Sequence, residues 1–228
     1  MCGRYTSTLS GEELGKYFAA DEIADVEINP SWNIAPTQTV PIVLEKRDDR
    51  SRLVTTARWS LVPPFSESLT LKYPTFNARS ETAAAKPTFR SAVVHQRALL
   101  PADSYYEWHT VGSTKTPHAV VHPDGELAFA GLYSWWRESP ETEWVLTATI
   151  LTMAAPEPIA WIHDRTPVIL GAEDWDWWLD RSLDADQHFV DTAVEKSIPV
   201  ARRLTAYPVN PIRGNGPELL QPANNASL

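Results

Sequence analysis

Short runs of alternating apolar and polar residues recur along the chain, and they predict a protein built mainly of β-strands. Two such runs, 40–45 and 52–61, flank the charged segment 46–50 and predict a hairpin. Further strands are predicted at 97–101, 105–109, 117–122, 126–135 and 144–153. A turn signal at 123–125 separates two of these runs, as expected for an antiparallel meander.

Helical signals are fewer and shorter. Ser10 followed by Glu13 has the spacing of a capping box, and apolar residues recur at helical intervals as far as Phe18. This pattern predicts a helix over 11–20. Shorter helices are predicted in four other segments: directly after Glu81, and at 156–161, 172–179 and 184–196.

Strands and helices do not alternate regularly, which disfavours a parallel, doubly wound sheet. The predicted fold class is α+β, a single domain of curved, largely antiparallel β-sheets with short flanking helices. We expect the domain to span 2–222 and residues 223–228 to form a disordered tail.

The composition excludes several classes of protein. The 228 residues, 43% of them hydrophobic, suffice to bury one large core. No run of 18 apolar residues occurs, and the first residues do not resemble a signal peptide, so we expect a cytoplasmic protein without membrane contact. A single cysteine excludes an internal disulfide and any multi-cysteine zinc site. Phosphate-loop, dinucleotide and paired-histidine motifs are absent from the sequence, so we expect neither a cofactor nor a metal.

The charge argues against general affinity for nucleic acids. The formal net charge is −9, whereas proteins of that class usually carry a basic excess. Any nucleic-acid binding must therefore use a local basic patch. Ten tryptophans offer flat stacking surface wherever they lie outside the core. Trp175 and Trp178, at helical spacing, are predicted to belong to the core.

Cys2, the one cysteine of the chain, stands at the second position. If Met1 is removed, Cys2 carries both a free α-amine and a thiol, whose reference pKa values are about 7.7–8.0 and about 8.5. Such a 1,2-aminothiol reacts with an aldehyde, because the amine forms an imine and the thiol then closes a thiazolidine ring. The alternative is that Cys2 is merely a small buried hydrophobic residue.

Four segments, taken together, give this cysteine a context. They are Met1-Cys2-Gly3-Arg4, Phe76-Asn77-Ala78-Arg79-Ser80-Glu81, Tyr105-Tyr106-Glu107-Trp108 and Ile162-His163-Asp164-Arg165-Thr166-Pro167. In this order, with the cysteine at position two, they resemble the SRAP family, the SOS-response-associated peptidases that sense abasic sites in single-stranded DNA. The resemblance runs from Cys2 to about Pro222 and includes the segments 33–36 and 218–222. It implies an SRAP-like fold.

The resemblance implies four catalytic residues. Cys2 would attack the ring-opened aldehyde of an abasic deoxyribose and end as a thiazolidine crosslink. Glu107 would protonate the sugar oxygen and open the ring, and His163 would move protons during imine formation and reversal. Asn77 would hold the reactants in place.

Each of these residues also has a structural interpretation. Glu107 could face solvent or pair with an arginine, His163 could be a satisfied structural histidine, and Asn77 could form a turn. Five other histidines match no motif, and we interpret them as surface or packing residues: His95, His109, His118, His122 and His188.

For DNA binding, the resemblance points to Arg4, Asn33, Arg79 and Arg165 as phosphate or base contacts and to Trp108 as a stacking neighbour. Guanidinium groups bind phosphate in bidentate fashion, and base–aromatic stacking carries no sequence preference. The implied partner is single-stranded DNA that contains abasic sites, bound by a monomer that joins the nucleoid when on DNA.

The sequence departs from the family pattern in three places. Ser104 stands where the family commonly has glycine, Thr166 where it has methionine or a basic residue, and 60–65 lacks the usual glycine and tryptophan. These departures affect the details of DNA stacking rather than the chemistry.

Three functions are therefore compared. The first is a self-crosslinking enzyme that protects abasic single-stranded DNA in the DNA-damage or SOS response, with lyase activity through the same imine. The second is a cysteine peptidase that uses Cys2 as an N-terminal nucleophile and removes its own Met1. The third is a single-strand binding module without catalysis. The first two functions differ in substrate, which is abasic DNA for the first and a peptide for the second. The third is identified if binding and biological effect survive in Cys2→Ala.

Overall fold

Strand pairing between distant parts of the chain organises the structure, a computed structural model that describes residues 2–223. The described strands are β1 (Tyr5–Ser7), β2 (Glu22–Ile23), β3 (Ser31–Ile34), β4 (Thr39–Glu45), β5 (Arg52–Trp59), β6 (Asn77–Arg79), β7 (Arg97–Ala102), β8 (Ser104–Val111), β9 (Thr114–Val121), β10 (Leu127–Trp136), β11 (Val145–Ala154), β12 (Arg165–Pro167) and β13 (Thr205–Pro208). The described helices are α1 (Gly11–Tyr17), α2 (Arg90–His95), α3 (Glu157–Ala160), α4 (Trp175–Leu179) and α5 (Gln187–Ala201).

The larger sheet closes on itself like a small barrel. Its strands run in the order β12-β11-β10-β7-β4-β5-β2, and β11 also pairs with β5, in parallel. The remaining described pairs in the order β11-β10-β7-β4-β5 are antiparallel. Closure hides the strand edges and leaves one apolar interior, in which β7 and most of β10 are buried.

A second sheet, in the order β13-β9-β8-β1-β3, packs against this barrel. Tyr5 of β1 lies opposite Tyr105 of β8, and its ring contacts two barrel residues. The ring centroids lie 5.0 Å from Trp59 and 5.8 Å from Phe129, both in edge-on geometry. These aromatic contacts join the two sheets over one hydrophobic core. The fold is the predicted α+β arrangement of antiparallel sheets with short helices.

Local predictions succeed where a pattern is long. The hairpin is confirmed as β4 and β5, and the strands predicted from 97 to 153 are found as β7 to β11. These five strands do not form the predicted meander, because β8 pairs with β9 in the second sheet whereas β7 pairs with β10 in the larger one. The capping box is also present at α1, where the Glu13 backbone N–H donates to the Ser10 Oγ at 3.3 Å and the Ser10 N–H donates to the Glu13 carboxylate at 2.8 Å.

Short elements differ from the prediction. Two short strands are not predicted: residues around Asn33 form β3, and Asn77 begins β6, a parallel neighbour of β11. After Glu81 only a 3₁₀ turn forms, Ser80–Thr82, and the unpredicted helix α2 follows. Strands of three or four residues show too little alternation to be detected, and their partners alone stabilise them.

Two expectations concern the ends of the chain. Met1 and residues 224–228, the greater part of the expected tail, lie outside the described residues. Ala223 is described, and its N–H donates to the carbonyl of Pro208 at 2.8 Å. Within 2–223, no helix combines the length and apolar character needed to cross a bilayer.

Arg97, at the start of β7, is a buried charge that connects three elements. Its side chain is 1% exposed. The guanidinium donates to backbone carbonyls only in the contacts described: those of Val93, Val94, Trp178, Asp180 and Leu183. Burial lowers the pKa of Arg97 to about 10, so the group is charged at neutral pH. The guanidinium donates to the last carbonyl groups of α2 and α4, which have no partner within their own helices.

Arg97→Met should therefore destabilise the fold. The thioether fills similar space but leaves several buried carbonyls without donors, at about 1–3 kcal/mol each. We expect the free energy of unfolding in urea to fall by about 3 kcal/mol or more. Arg202→Met is the control, because Arg202 is exposed, and it should change stability by about 0.5 kcal/mol or less. Equal stability of the two variants would contradict a structural role for Arg97.

Candidate functional site

Cys2 precedes β1 by three residues and belongs to the main hydrophobic core. Its side chain is fully buried, and its thiol lies 3.8 Å from the carbonyl oxygen of Arg4. Asn77, the first residue of β6, donates from its Nδ2 to the Cys2 carbonyl oxygen at 2.7 Å. The strand pairing of β6 with β11 therefore fixes the backbone at position two.

Asn77 has a second polar atom in the site. Its Oδ1 is buried and has no hydrogen-bond partner among residues 2–223. A buried acceptor of this kind costs free energy unless a ligand or water supplies a donor. Asn77 is anchored by the neighbouring Trp59, whose Nε1 donates to the carbonyl of Phe76 at 2.8 Å. The amide nitrogen of Asn77 thus holds Cys2, and its amide oxygen remains available to a donor.

Glu107 of β8 lies in the same buried region, with 5% of its surface exposed. Burial raises the pKa of the Glu107 carboxyl, because the charged form loses its hydration, and attraction to a charged His163 partly offsets this rise. A carboxyl with a raised pKa holds its proton at higher pH than a surface glutamate and can donate it as an acid.

The Cys2 thiol is held in its neutral form. Burial raises the pKa of Cys2 well above its ordinary value, and the nearby negative charge of Glu107 raises it further. At neutral pH the thiol in this environment is therefore not a thiolate.

His163 is less buried, and its Nδ1 has two polar neighbours. Nδ1 accepts from the backbone N–H of Arg165 at 3.0 Å and lies 2.8 Å from a carboxylate oxygen of Asp164. The first contact requires Nδ1 without a proton, and the second gains from Nδ1 with one. The geometry therefore accommodates Nδ1 either with or without a proton.

The structure brings together the four residues for which the sequence predicts catalysis. Asn77 bonds to Cys2, the charge of Glu107 acts on the Cys2 thiol, and the charge of His163 acts on Glu107. These residues come from four separate parts of the chain. Chemically, the arrangement combines a buried nucleophile, an acid, a histidine and an amide donor.

Two of the predicted DNA contacts hold each other. The Arg4 guanidinium donates to Asn33 Oδ1 at 2.6 Å, and Asn33 Nδ2 donates to the carbonyl of Gly214 at 2.6 Å. Because the pairing of β1 with β3 brings these residues together, Arg4 is oriented before any ligand binds.

The other arginines differ in accessibility. Arg79 at the end of β6 is exposed. Arg165 is only 11% exposed and donates to both carboxylate oxygens of Glu81, at 2.5 and 2.9 Å. It also donates to the carbonyl of Thr152 at 2.5 Å. Arg165 therefore clamps the 3₁₀ turn after β6 to β11 and β12.

Trp108 lies on the opposite face of β8 from Glu107, as strand alternation requires. It is partly buried against a small second hydrophobic cluster that includes Tyr106 and Leu219. Its indole therefore contributes to packing of the second sheet.

Three residues that the sequence left without a role support the site. Glu81 pairs with Arg165, as described above, and the available signal was its position in the segment 76–81 that resembles the family. Ser104 and Thr166, which depart from the family pattern, each join distant strands. The Ser104 hydroxyl lies 2.9 Å from that of Thr6, and the Thr166 hydroxyl lies 2.9 Å from that of Tyr105.

The donor set does not resemble a metal centre. No cluster of three or more His, Cys, Asp or Glu side chains with suitable geometry occurs within residues 2–223.

Comparison with known proteins agrees with this geometry. Residues 1–214 match the model of the family described as SOS response associated peptidase (SRAP). The chain is 34% identical over 228 residues to the abasic site processing protein YoqW of Bacillus subtilis, covering 97% of this chain and 99% of that protein. It is 31% identical to the abasic site processing protein YedK of Escherichia coli, covering 97% of this chain and 100% of YedK.

Solved structures show the same fold. A crystal structure from Bacteroides thetaiotaomicron superposes with a TM-score of 0.82 at 21% identity and covers 98% of this chain and 100% of its own. One from Bordetella bronchiseptica superposes with a TM-score of 0.74 at 29% identity and covers 92% of this chain and 100% of its own. With the family model matching almost the whole chain, this protein belongs to the SOS response associated peptidase (SRAP) family.

Proposed function

We propose that this protein is an abasic-site sensor that crosslinks itself to single-stranded DNA through Cys2 after removal of Met1. The observation that supports it best is a chain of contacts that ends at Cys2: Asn77 bonds the Cys2 backbone, the charge of Glu107 acts on the Cys2 thiol, and His163 acts on Glu107. Relatives covered over nearly their full length are named abasic site processing proteins, and that activity is the one we assign here.

The first step is opening of the sugar ring. The abasic deoxyribose is a cyclic hemiacetal, and its C1′–O4′ bond breaks when O4′ gains a proton and the C1′ hydroxyl loses one. Glu107 donates the first proton, since burial keeps its carboxyl protonated to higher pH than usual. The product is an aldehyde at C1′.

The amine then reacts before the thiol. The neutral thiol is a weak nucleophile, so the α-amine of Cys2 attacks C1′ and forms an imine with loss of water. The S–H group next adds across the C=N bond: sulfur bonds to carbon and nitrogen gains the proton. The result is a thiazolidine, and β-elimination from the imine would give the lyase side reaction.

His163 and Asn77 support these transfers. His163 supports proton transfer because its Nδ1 can accept from Arg165 N–H or, when it carries a proton, donate to Asp164. Asn77 fixes the Cys2 carbonyl and offers its buried Oδ1 to the amine or to the sugar.

The protein holds the DNA through the phosphates of the DNA backbone. Arg79 is exposed beside Asn77 and suits a phosphate contact. Arg4 already donates to Asn33, and Arg165 already donates to Glu81. Each guanidinium would bind a phosphate either with its remaining N–H groups or by giving up its present partner. The acidic excess of the chain must then lie away from this face.

The central prediction concerns the N-terminus. Wild-type protein mixed with single-stranded DNA containing an abasic site should gain the mass of the DNA less one water, in an intact-mass spectrum that also reports loss of Met1. A variant with one extra residue before Cys2 has no aminothiol and should form no stable adduct. Normal crosslinking by that variant would contradict the mechanism. Turnover of peptides without DNA would instead favour the peptidase.

A second prediction separates Glu107 from His163. Glu107→Gln keeps the shape but cannot donate a proton, so crosslink formation should slow by about 10²- to 10⁴-fold. Because donation requires the protonated carboxyl, the Glu107-dependent rate should fall as pH rises through its raised pKa, and the glutamine variant should lack this fall. His163→Ala should slow formation less, and should also slow release of DNA from a preformed crosslink.

Time courses of formation and of competitor-trapped release, from pH 5 to 8, measure both effects. The controls are Glu138→Gln and His188→Ala, which change exposed residues outside the site. Wild-type rates in both directions for the two site variants would reduce Glu107 and His163 to structural residues.

A third prediction tests the environment of the thiol. Since burial and the charge of Glu107 both raise the Cys2 pKa, iodoacetamide at pH 7.5 should alkylate Cys2 at least about tenfold more slowly than free cysteine. Glu107→Gln removes the negative charge, so the pH profile of alkylation should move to lower pH. An unchanged profile, identical to that of Glu138→Gln, would show that the two groups do not interact.

A further inference from the structure

An aromatic cluster beside the site has no role in the chemistry above. Trp161, directly after α3, lies with its ring centroid 4.9 Å from that of His109 and 5.2 Å from that of His118, in edge-on geometry to both. Its Nε1 donates to the carbonyl of Pro158 at 3.1 Å. The indole is therefore held in one orientation, yet 50% of Trp161 is exposed.

The cluster borders the candidate site. His118 of β9 lies directly opposite Glu107 of β8, and cross-strand partners of this kind have Cβ atoms about 5 Å apart. His109 follows Glu107 by two residues and so lies on the same face of the sheet. Trp161 precedes His163 by two residues in the same loop. The exposed indole thus lies next to the histidines that border the buried Glu107, and two residues before His163.

The charges around the indole favour a neutral ligand. The neighbouring Asp164 is 85% exposed at its side chain and would repel a phosphate. His118 donates from Nδ1 to the carbonyl of Thr116 at 3.0 Å, and burial lowers the pKa of its ring, so it is neutral near pH 7. The rings in contact with the indole are those of His109 and His118, both at steep angles to it.

An abasic nucleotide has no base of its own to be recognised. A protein that binds it must hold the neighbouring nucleotides, and flat aromatic surface does this for any base. Trp108, the stacking residue that the family resemblance suggests, is packed into the second sheet on the far face of β8. Trp161 offers such a surface on the near face.

We propose that Trp161, supported by His109 and His118, is a stacking subsite for the nucleobase next to the abasic nucleotide. Stacking there fixes the position of the adjoining sugar relative to Cys2. The subsite rests on the proposed function, because it identifies how the same site selects its DNA.

The experiment measures binding without chemistry. The probe is single-stranded DNA with a tetrahydrofuran residue, which lacks an aldehyde and cannot crosslink, flanked on either side by adenine or by a second base-free spacer. For the wild type, removing the adenine on one side should weaken binding about 5- to 100-fold. In Trp161→Leu, which keeps apolar contact with the imidazoles, this ratio should fall to about twofold or less, and Trp161→Phe should retain much of it.

Trp144→Leu is the matched control, because Trp144 is 53% exposed and directly precedes β11. It therefore lies at the opposite end of β11 from Thr152, whose carbonyl accepts from Arg165. The Trp144→Leu variant should keep the wild-type ratio. A wild-type ratio near one on both sides, or an unchanged ratio in Trp161→Leu, would overturn the subsite.

A second measurement uses the wild-type protein alone. Irradiation with 5-iodouracil in place of the flanking adenine should attach the DNA to the peptide that contains Trp161, and attachment elsewhere would count against the proposal. Failure of the proposed function looks different: base-dependent binding of the tetrahydrofuran probe would persist, while aldehyde-bearing DNA would give no covalent adduct.

Discussion

The pairing of β1 with β8 is the constraint on which the rest of the site depends. It places Tyr5 opposite Tyr105, and the Tyr106 N–H donates to the carbonyl of Arg4 at 2.9 Å. Continuing this register brings the residues before Tyr5 alongside Glu107. A chain end would ordinarily fray, and here strand pairing on one side and the amide of Asn77 on the other hold it. The cost of ordering the first residues is met by burial of Tyr5 against the barrel.

Burial shifts the pKa of the proposed acid and of the proposed thiol nucleophile in the same direction, with opposite consequences for their reactivity. Removing water raises the pKa of the Glu107 carboxyl and that of the Cys2 thiol alike. The first shift makes Glu107 a better acid near neutral pH, and the second makes sulfur a poorer nucleophile. One environment therefore favours the order in which the ring opens first, the amine reacts second and sulfur closes the thiazolidine last. A surface-exposed Cys2 would react earlier and with other electrophiles.

The sequence predicts the fold in proportion to the length of each pattern. Strands β4, β5 and β7 to β11 carry six or more residues of β-rich sequence, and all are found. Strands β3 and β6 are three or four residues long, and the partners that stabilise β6 lie some 70 residues away in the chain. No local pattern could predict that pairing. The identities of Cys2, Asn77, Glu107 and His163 follow from resemblance, because each is ambiguous alone.

Contacts beyond the motifs needed the structure. The sequence gives no reason to separate His109 and His118 from other histidines, since their relation to Glu107 depends on the register of β8 with β9. The sequence also cannot show that Arg165 donates to Glu81 or that Arg4 donates to Asn33, because the two residues of each pair lie tens of residues apart in the chain.

Arg4 and Arg165 already have hydrogen-bond partners within the protein, and this bears on how an acidic protein could bind DNA. A guanidinium that already bonds a carboxylate presents little net positive charge, so Arg165 with Glu81 attracts phosphate weakly at long range. Its orientation is nevertheless fixed, which lowers the entropy lost when a ligand arrives. Arg4, held by the neutral Asn33, keeps its full charge. Recognition of this kind depends on local shape and on a few ordered groups, and it needs no basic surface of the sort that raises affinity for every nucleic acid. A net charge of −9 is then compatible with the proposed DNA binding, since that binding depends on a few ordered groups and not on the overall charge.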